Sequence, residues 1–154
     1  MPDNRQIVCP GCGAVNRVPA NKPADAGKCG KCGNALFSGE PLDADAEMFA
    51  RQTSRSDIPV LVDVWAPWCG PCLMMAPAFE AASAILEPQM RLLKLNSEAH
   101  QGVAGSLGIR GIPTMLLYAG GQEIGRVSGA MNTQQIVGWA KDQLSRAPAA
   151  HKTT

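Results

Sequence analysis

Pro59-Val60-Leu61-Val62-Asp63-Val64-Trp65-Ala66-Pro67-Trp68-Cys69-Gly70-Pro71-Cys72 runs from a nearly continuous apolar, β-branched stretch into a Cys-x-x-Cys pair. Apolar residues at consecutive positions, not alternate ones, predict a strand buried on both faces, as in a sheet with helices on either side. Beyond the pair, Cys72, Met75, Phe79, Ala82 and Leu86 recur at helical spacing. A helix therefore starts at the cysteines, and Pro77 is expected to kink it. The junction carries chemistry. A thiol at a helix N-terminus faces unpaired backbone N–H groups and the positive end of the dipole, which favours the nucleophilic thiolate. Cys69, nearer solvent, is assigned to attack a disulfide, and Cys72, one turn on, to resolve the mixed disulfide. Gly70 and Pro71 constrain the turn between them.

Further strands and helices follow on both sides. Downstream, Arg91–Asn96 reads as a strand, 98–107 as a short helix and Met115–Tyr118 as a strand after Gly111-Ile112-Pro113-Thr114. Gly120-Gly121 signals a hairpin into a strand Gln122–Ser128. The last helix has Asn132 as N-cap, Gln135 three residues on, and an inward stripe of Ile136, Ala140 and Leu144. Upstream, Asp43 or Asp45 caps a helix running to about Arg55. The order β-α-β-α-β-β-α predicts an α/β fold with a mixed central sheet flanked by helices.

The 154 residues suffice for one ordinary domain and a small appendage. With 45% hydrophobic and 18% charged residues and a formal charge of +1, the chain has globular composition and no long-range claim on nucleic acid or acidic membranes. No run of about 18 apolar residues predicts a membrane span. MPDNRQIVCPGCG lacks the apolar core of a secretory signal, so a cytoplasmic location is expected.

All six cysteines fall in Cys-x-x-Cys pairs. Residues 1–38 hold Cys9/Cys12 and Cys29/Cys32 but few large apolar side chains, so a metal or disulfides must hold them. Each pair sits in a tight knuckle with a glycine after it, Gly13 or Gly33. Four thiolates at this spacing suit one tetrahedral Zn2+ in a ribbon; rubredoxin-like iron and two further redox disulfides are the alternatives. The net charge of +2 over residues 1–40 cancels once four thiolates hold a divalent cation, and no aromatic precedes Phe37 for base stacking. The expected organisation is a zinc-binding ribbon 1–38, a catalytic domain 39–146 and a disordered tail 147–154.

Val62-Asp63-Val64-Trp65-Ala66-Pro67-Trp68-Cys69-Gly70-Pro71-Cys72, Lys94-Leu95-Asn96, Gly111-Ile112-Pro113-Thr114 and Gly129 together resemble the thioredoxin family over about residues 39–146. With the Cys-rich extension the whole chain resembles the bacterial thioredoxin-2 type. The resemblance implies a thioredoxin fold and a protein-disulfide reductase with a redox-active Cys69–Cys72 disulfide. It makes Asp63 the buried carboxylate serving the resolving thiol, and Lys94 the lysine paired with it. Burial in an apolar strand should raise the Asp63 pKa, which suits proton transfer; a purely structural carboxylate and a merely solvated lysine are the plainer readings. The resemblance further implies a cis bond before Pro113 and an apolar docking surface of Trp68, Gly70, Pro71, Ile112, Pro113, Gly129 and Ala130, with the backbone at Ile112 pairing with an extended substrate. Expected partners are oxidised protein substrates and a flavoprotein thioredoxin reductase using NADPH, and the chain is expected to be a monomer. Leu73, Ser97 and Ser128 depart from the family pattern around this surface, and Pro41 falls in the expected first strand, where an edge position tolerates it. A zinc-dependent redox sensor or holdase-like binding module is the alternative function, with oxidation freeing the metal.

Overall fold

The computed structural model describes residues 4–19 and 21–146; the expected tail, 147–154, lies outside them. Two antiparallel strands, β1 (Asn4–Val8) and β2 (Val15–Pro19), form a small N-terminal hairpin, followed by a 3-10 turn at Ala24–Ala26. The rest of the chain runs β3 (Leu42–Asp43), α1 (Ala46–Arg55), β4 (Val60–Trp65), α2 (Gly70–Leu86), β5 (Arg91–Asn96), α3 (Gln101–Ser106), β6 (Thr114–Ala119), β7 (Gln122–Ser128) and α4 (Thr133–Arg146). The five-stranded sheet has the order β3-β5-β4-β6-β7, with β3, β5 and β4 parallel and β6 and β7 antiparallel. This is the mixed sheet the sequence predicts.

β4 is central and buried along its length because its two faces meet different helices. Leu61 packs with Met75, Phe79, Leu86, Ile136 and Ala140 from α2 and α4. Val60, Val62 and Val64 pack with Phe49 of α1 and, at the edge, Val103 and Leu107 of the α3 region. Strand alternation puts Asp63 on the Leu61 side, under α2. Sequence caps act as expected. Asp45 Oδ1 accepts from Met48 N at 2.8 Å to start α1. Asn132 and Gln135 exchange side-chain bonds with each other's backbone N–H at the head of α4. Pro77 lies inside α2. The first strand of the sheet is only Leu42–Asp43 at the edge, beginning just after Pro41; a ring without an N–H is thereby kept out of the ladder.

The hairpin module has a small core of Ile7, Val18, Leu36 and Phe37 that also takes in Ile58, from beyond α1. Polar contacts fasten it to the larger unit. Val8 O accepts from both Gln52 Nε2 (3.2 Å) and Arg91 Nη2 (3.1 Å). Arg91 is 2% exposed, lies 4.3 Å over the Phe37 ring and pairs with Glu87 at 3.7 Å. Asp57 N donates to Gln6 O, and Gln6 N donates to Asp57 Oδ2.

Candidate active site and cysteine cluster

Cys69 is the N-cap of α2. Its Sγ accepts from Cys72 N at 3.2 Å, so the sulfur that would carry charge as a thiolate already faces an orphan helix N–H. Cys69 and Cys72 form a disulfide across a Cα–Cα distance of 5.2 Å. Cys69 is 5% exposed and Cys72 1%, the order of access the sequence reading assigns. Trp65 and Ile112 pack around the pair with Ala66. The Ile112–Pro113 bond is cis, and Ile112 O lies 3.7 Å from Cys69 Sγ. Gly129 N donates to Pro113 O at 2.9 Å, which fastens the end of β7 beside this loop.

Asp63 is 1% exposed, and among the described residues neither carboxylate oxygen has a hydrogen-bond partner. Burial pushes its pKa up to about 7, with the Lys94 cation pulling the other way. Lys94 is the register partner of Asp63 on β5, and its Nζ lies 4.5 Å from the Trp65 ring centroid. Lys94 and Trp65 also line a cleft of about 500 Å³ that Pro10 and Gly11 line as well.

The structure brings Trp68, Gly70, Pro71, Ile112, Pro113 and Gly129 to the segments around the disulfide. Trp68 is 68% exposed, a rim position, whereas Trp65 is half-buried. Sequence reasoning missed Glu98, whose carboxylate accepts from Trp68 Nε1. The signal was Asn96: its Oδ1 accepts from Glu98 N (3.0 Å) and Ala99 N (3.2 Å), the side-chain turn Asn makes after a strand. The two departing serines are engaged internally. Ser97 Oγ donates to Trp65 O at 2.9 Å, and Ser128 Oγ bonds Thr114 Oγ1 at 2.8 Å.

The sulfurs of Cys9, Cys12, Cys29 and Cys32 all lie within 4.8 Å of one another. The Cys9–Cys32 and Cys12–Cys29 pairs are each 3.6 Å apart. A zinc tetrahedron with bonds of about 2.3 Å needs sulfurs about 3.8 Å apart, so the donor set fits that ion. The two knuckles repeat each other. Cys9 N and Cys29 N donate to Ala14 O and Asn34 O, and Gly13 N and Gly33 N return to Cys9 O and Cys29 O. Gly11 N and Lys31 N point at Cys9 Sγ (3.3 Å) and Cys29 Sγ (3.4 Å). Gly13 needs its φ of +80°, and a Cβ there would come within 3.0 Å of Arg51 Nε, which donates to Gly13 O at 2.7 Å.

Among the described residues no helix is long and apolar enough to cross a membrane. Residues 40–142 match the family model described as Thioredoxin, and residues 8–34 match that described as Thioredoxin 2, N-terminal, a zinc ribbon. Thioredoxin C-3 of Corynebacterium nephridii is 42% identical over 140 residues, covering 91% of this chain and 96% of that one. A thioredoxin of Synechocystis sp. is 43% identical over 95 residues, 62% of this chain and 88% of its own. Among solved structures, a mutant thioredoxin from Halobacterium salinarum NRC-1 superposes with a TM-score of 0.64 at 28% identity, over 75% of this chain and all of that one. One family model spans about two thirds of the residues and a relative aligns along nearly the whole length, so the chain belongs to the thioredoxin family, the thiol–disulfide oxidoreductases, and carries that family's N-terminal zinc-ribbon extension.

Proposed function

We infer that this thiol–disulfide oxidoreductase works as a protein-disulfide reductase in the cytoplasm, as a monomer, with the roles divided between its two thiols as follows. The Cys69 thiolate attacks one sulfur of a substrate disulfide. A Cys69–substrate bond forms, and the other substrate sulfur leaves as a thiolate that takes up a proton. The Cys72 thiol then gives its proton to Asp63 and attacks the Cys69 sulfur, which releases the second substrate thiolate and closes the Cys69–Cys72 disulfide. Two electrons pass from the dithiol to the substrate.

The observation that carries this reading is Cys69 Sγ held on Cys72 N at the head of α2, on the face where Asp63 lies buried with its pKa near 7. A carboxyl titrating there can take a proton in one half of the cycle and return it in the other. Lys94 limits how far burial raises that pKa and is held over the Trp65 ring. Trp68, Gly70, Pro71, Ile112, Pro113 and Gly129 form the docking rim, with the Ile112 backbone offered to an extended substrate chain. A flavoprotein thioredoxin reductase using NADPH recharges the disulfide.

Cys9, Cys12, Cys29 and Cys32 hold one structural Zn2+, the reading that their spacing and mutual distances support. The metal's contribution is to close residues 1–38 around a core too small to stand alone; the chain supplies the thiolates and the N–H groups of Gly11 and Lys31 that face them.

The test is reduction of insulin by the full chain with dithiothreitol, and then with a thioredoxin reductase and NADPH. Accelerated precipitation of the insulin B chain is the expected outcome. A rate no faster than dithiothreitol alone would refute the reading.

A further inference from the structure

The two halves of the cysteine cluster are held differently. The loops 8–14 and 28–34 repeat each other in cysteine and glycine pattern and in their internal backbone bonds, so each serves as a control for the other. In the first, the peptide group joining Val8 to Cys9 is fixed on both sides. Its oxygen accepts from Gln52 Nε2 of α1 at 3.2 Å and from Arg91 Nη2 of β5 at 3.1 Å, and its N–H donates to Ala14 O at 2.8 Å. The oxygen of Gly13, which closes the loop, accepts a charge-assisted bond from Arg51 Nε at 2.7 Å. In the second loop the matching oxygens, of Lys28 and Gly33, have no donor among the described residues. Sulfur contacts aside, residues 28–34 bond outside their own loop once among the described residues, where Gly30 N donates to Asn16 Oδ1 at 2.9 Å. Gly13 lies under the Arg51 side chain, whereas a Cβ added at Gly33 would meet nothing within 4 Å.

We propose that Arg51, with Gln52 and Arg91, belongs to the metal site: the larger unit fixes the Cys9/Cys12 knuckle as the anchored half of the four-cysteine cluster, and the Cys29/Cys32 knuckle is the half that opens when the ion leaves. The inference rests on the reading that these cysteines hold Zn2+. A thiolate on a fixed backbone loses little freedom in binding the ion, and it stays in place when one bond to the ion breaks. A thiolate on a loop held by one hydrogen bond and the ion departs with its loop. Groups that orient ligands without touching the metal commonly change its binding by about 10–100-fold. Gln52 and Arg91 are buried and hold the junction between the two units as well, whereas half-buried Arg51 can be changed without emptying a core position. Arg51 is thus a positioning residue for the metal, 38 residues along the chain from the glycine it holds.

The test uses the full-length protein loaded with zinc and with Cys69–Cys72 oxidised, so that the four ribbon cysteines hold the only thiols. Release of zinc to excess pyridylazoresorcinol is followed by absorbance, and the cysteines alkylated by limiting iodoacetamide are mapped by mass spectrometry. Arg51→Met is expected to release zinc about tenfold or more faster. Arg51→Lys, which keeps a cationic donor, should stay within about twofold of the unmodified protein; methionine and lysine both suit a helix. Lys28→Met removes an exposed cation next to Cys29 and should also stay within about twofold, since exposed charge is screened. Cys12 and Cys32 are both exposed and Cys9 and Cys29 both buried, so access alone predicts equal labelling of the two knuckles. Instead, the first alkylations of the unmodified protein should fall on Cys29 and Cys32 severalfold more often than on Cys9 and Cys12, and Arg51→Met should bring the pairs to near parity. An unchanged release rate in Arg51→Met would overturn the assignment. So would an equal acceleration in Lys28→Met, which would reduce the effect to charge. Equal labelling of both knuckles in the unmodified protein would overturn it as well, whether or not Arg51→Met folds. If the unmodified protein took up no zinc, which elemental analysis before release shows separately, the metal reading itself would fall and this inference with it.

Discussion

Asp63→Asn should stabilise the oxidised protein, by an amount that grows with pH. The carboxyl of Asp63 is buried with no hydrogen-bond partner among the described residues, and its pKa stands at about 7 against an ordinary 3.8. The folded chain thus holds a proton that the unfolded chain gives up. Between those two values the unfolded state binds fewer protons, so each pH unit costs the native state about 1.4 kcal/mol. The full cost, about 4 kcal/mol, is reached once pH passes 7, and none of it is paid below 3.8. Asparagine has nothing to ionise. Its advantage over the unmodified protein should be about 1 kcal/mol at pH 4.5, about 3 at pH 6 and about 4 at pH 8. Urea unfolding of both oxidised proteins at these three pH values measures it, and the difference cancels titrations the two share, including those of the metal-binding cysteines. A difference that stayed flat from pH 4.5 to 8, or that shrank with rising pH, would refute the claim that the fold keeps Asp63 protonated.

The same Asp63→Asn protein should resolve its mixed disulfide about tenfold or more slowly near pH 7, as followed by quenched-flow trapping; an unchanged rate from pH 6 to 9 counts against the proton-transfer role. Cys69→Ser should abolish insulin reduction, whereas Cys72→Ser should accumulate covalent substrate adducts visible by mass spectrometry. Elemental analysis should give one zinc per chain. Chelation should melt the hairpin module, since such sites contribute roughly 10–16 kcal/mol, and leave the five-stranded sheet folded but with a lower Tm, because Ile58 and Arg91 lose their cover. Arg91→Met should cost about 3 kcal/mol or more by leaving Glu87 buried and unpaired, and adding Glu87→Gln should recover part of that in a double-mutant cycle.

The elements of the larger unit were legible because their signals are local. Val60–Val64 names a two-sided strand, Cys72 to Leu86 names a helix face, and Asp45 and Asn132 announce helix starts by their own side-chain chemistry. The cysteine clusters were legible because a three-residue spacing and a following glycine already fix a knuckle. What joins the hairpin to the larger unit was not. Arg91 heads the segment Arg-Leu-Leu-Lys-Leu-Asn, and its charge reads as a solvated strand end. It is buried only because Val8 and Phe37, more than fifty residues away, close over it. Gln52 looks like an ordinary polar position of α1, and only the carbonyl of Val8 makes it a buried one. The Trp68–Glu98 bond depends likewise on two loops meeting.

The hairpin module lies at the start of the chain, whereas the strand that covers its carbonyl at Val8 begins only at Arg91. At the usual speed of synthesis, about 5–20 residues per second, the stretch from Phe37 to Arg91 takes roughly 3–10 s to emerge. For that interval Ile7, Leu36 and Phe37 have no finished surface to rest on. A metal taken up by the nascent chain would bridge the gap, closing both knuckles before their docking site exists. Zinc supply during translation, more than zinc supply to the finished protein, would then set the yield of correctly assembled molecules.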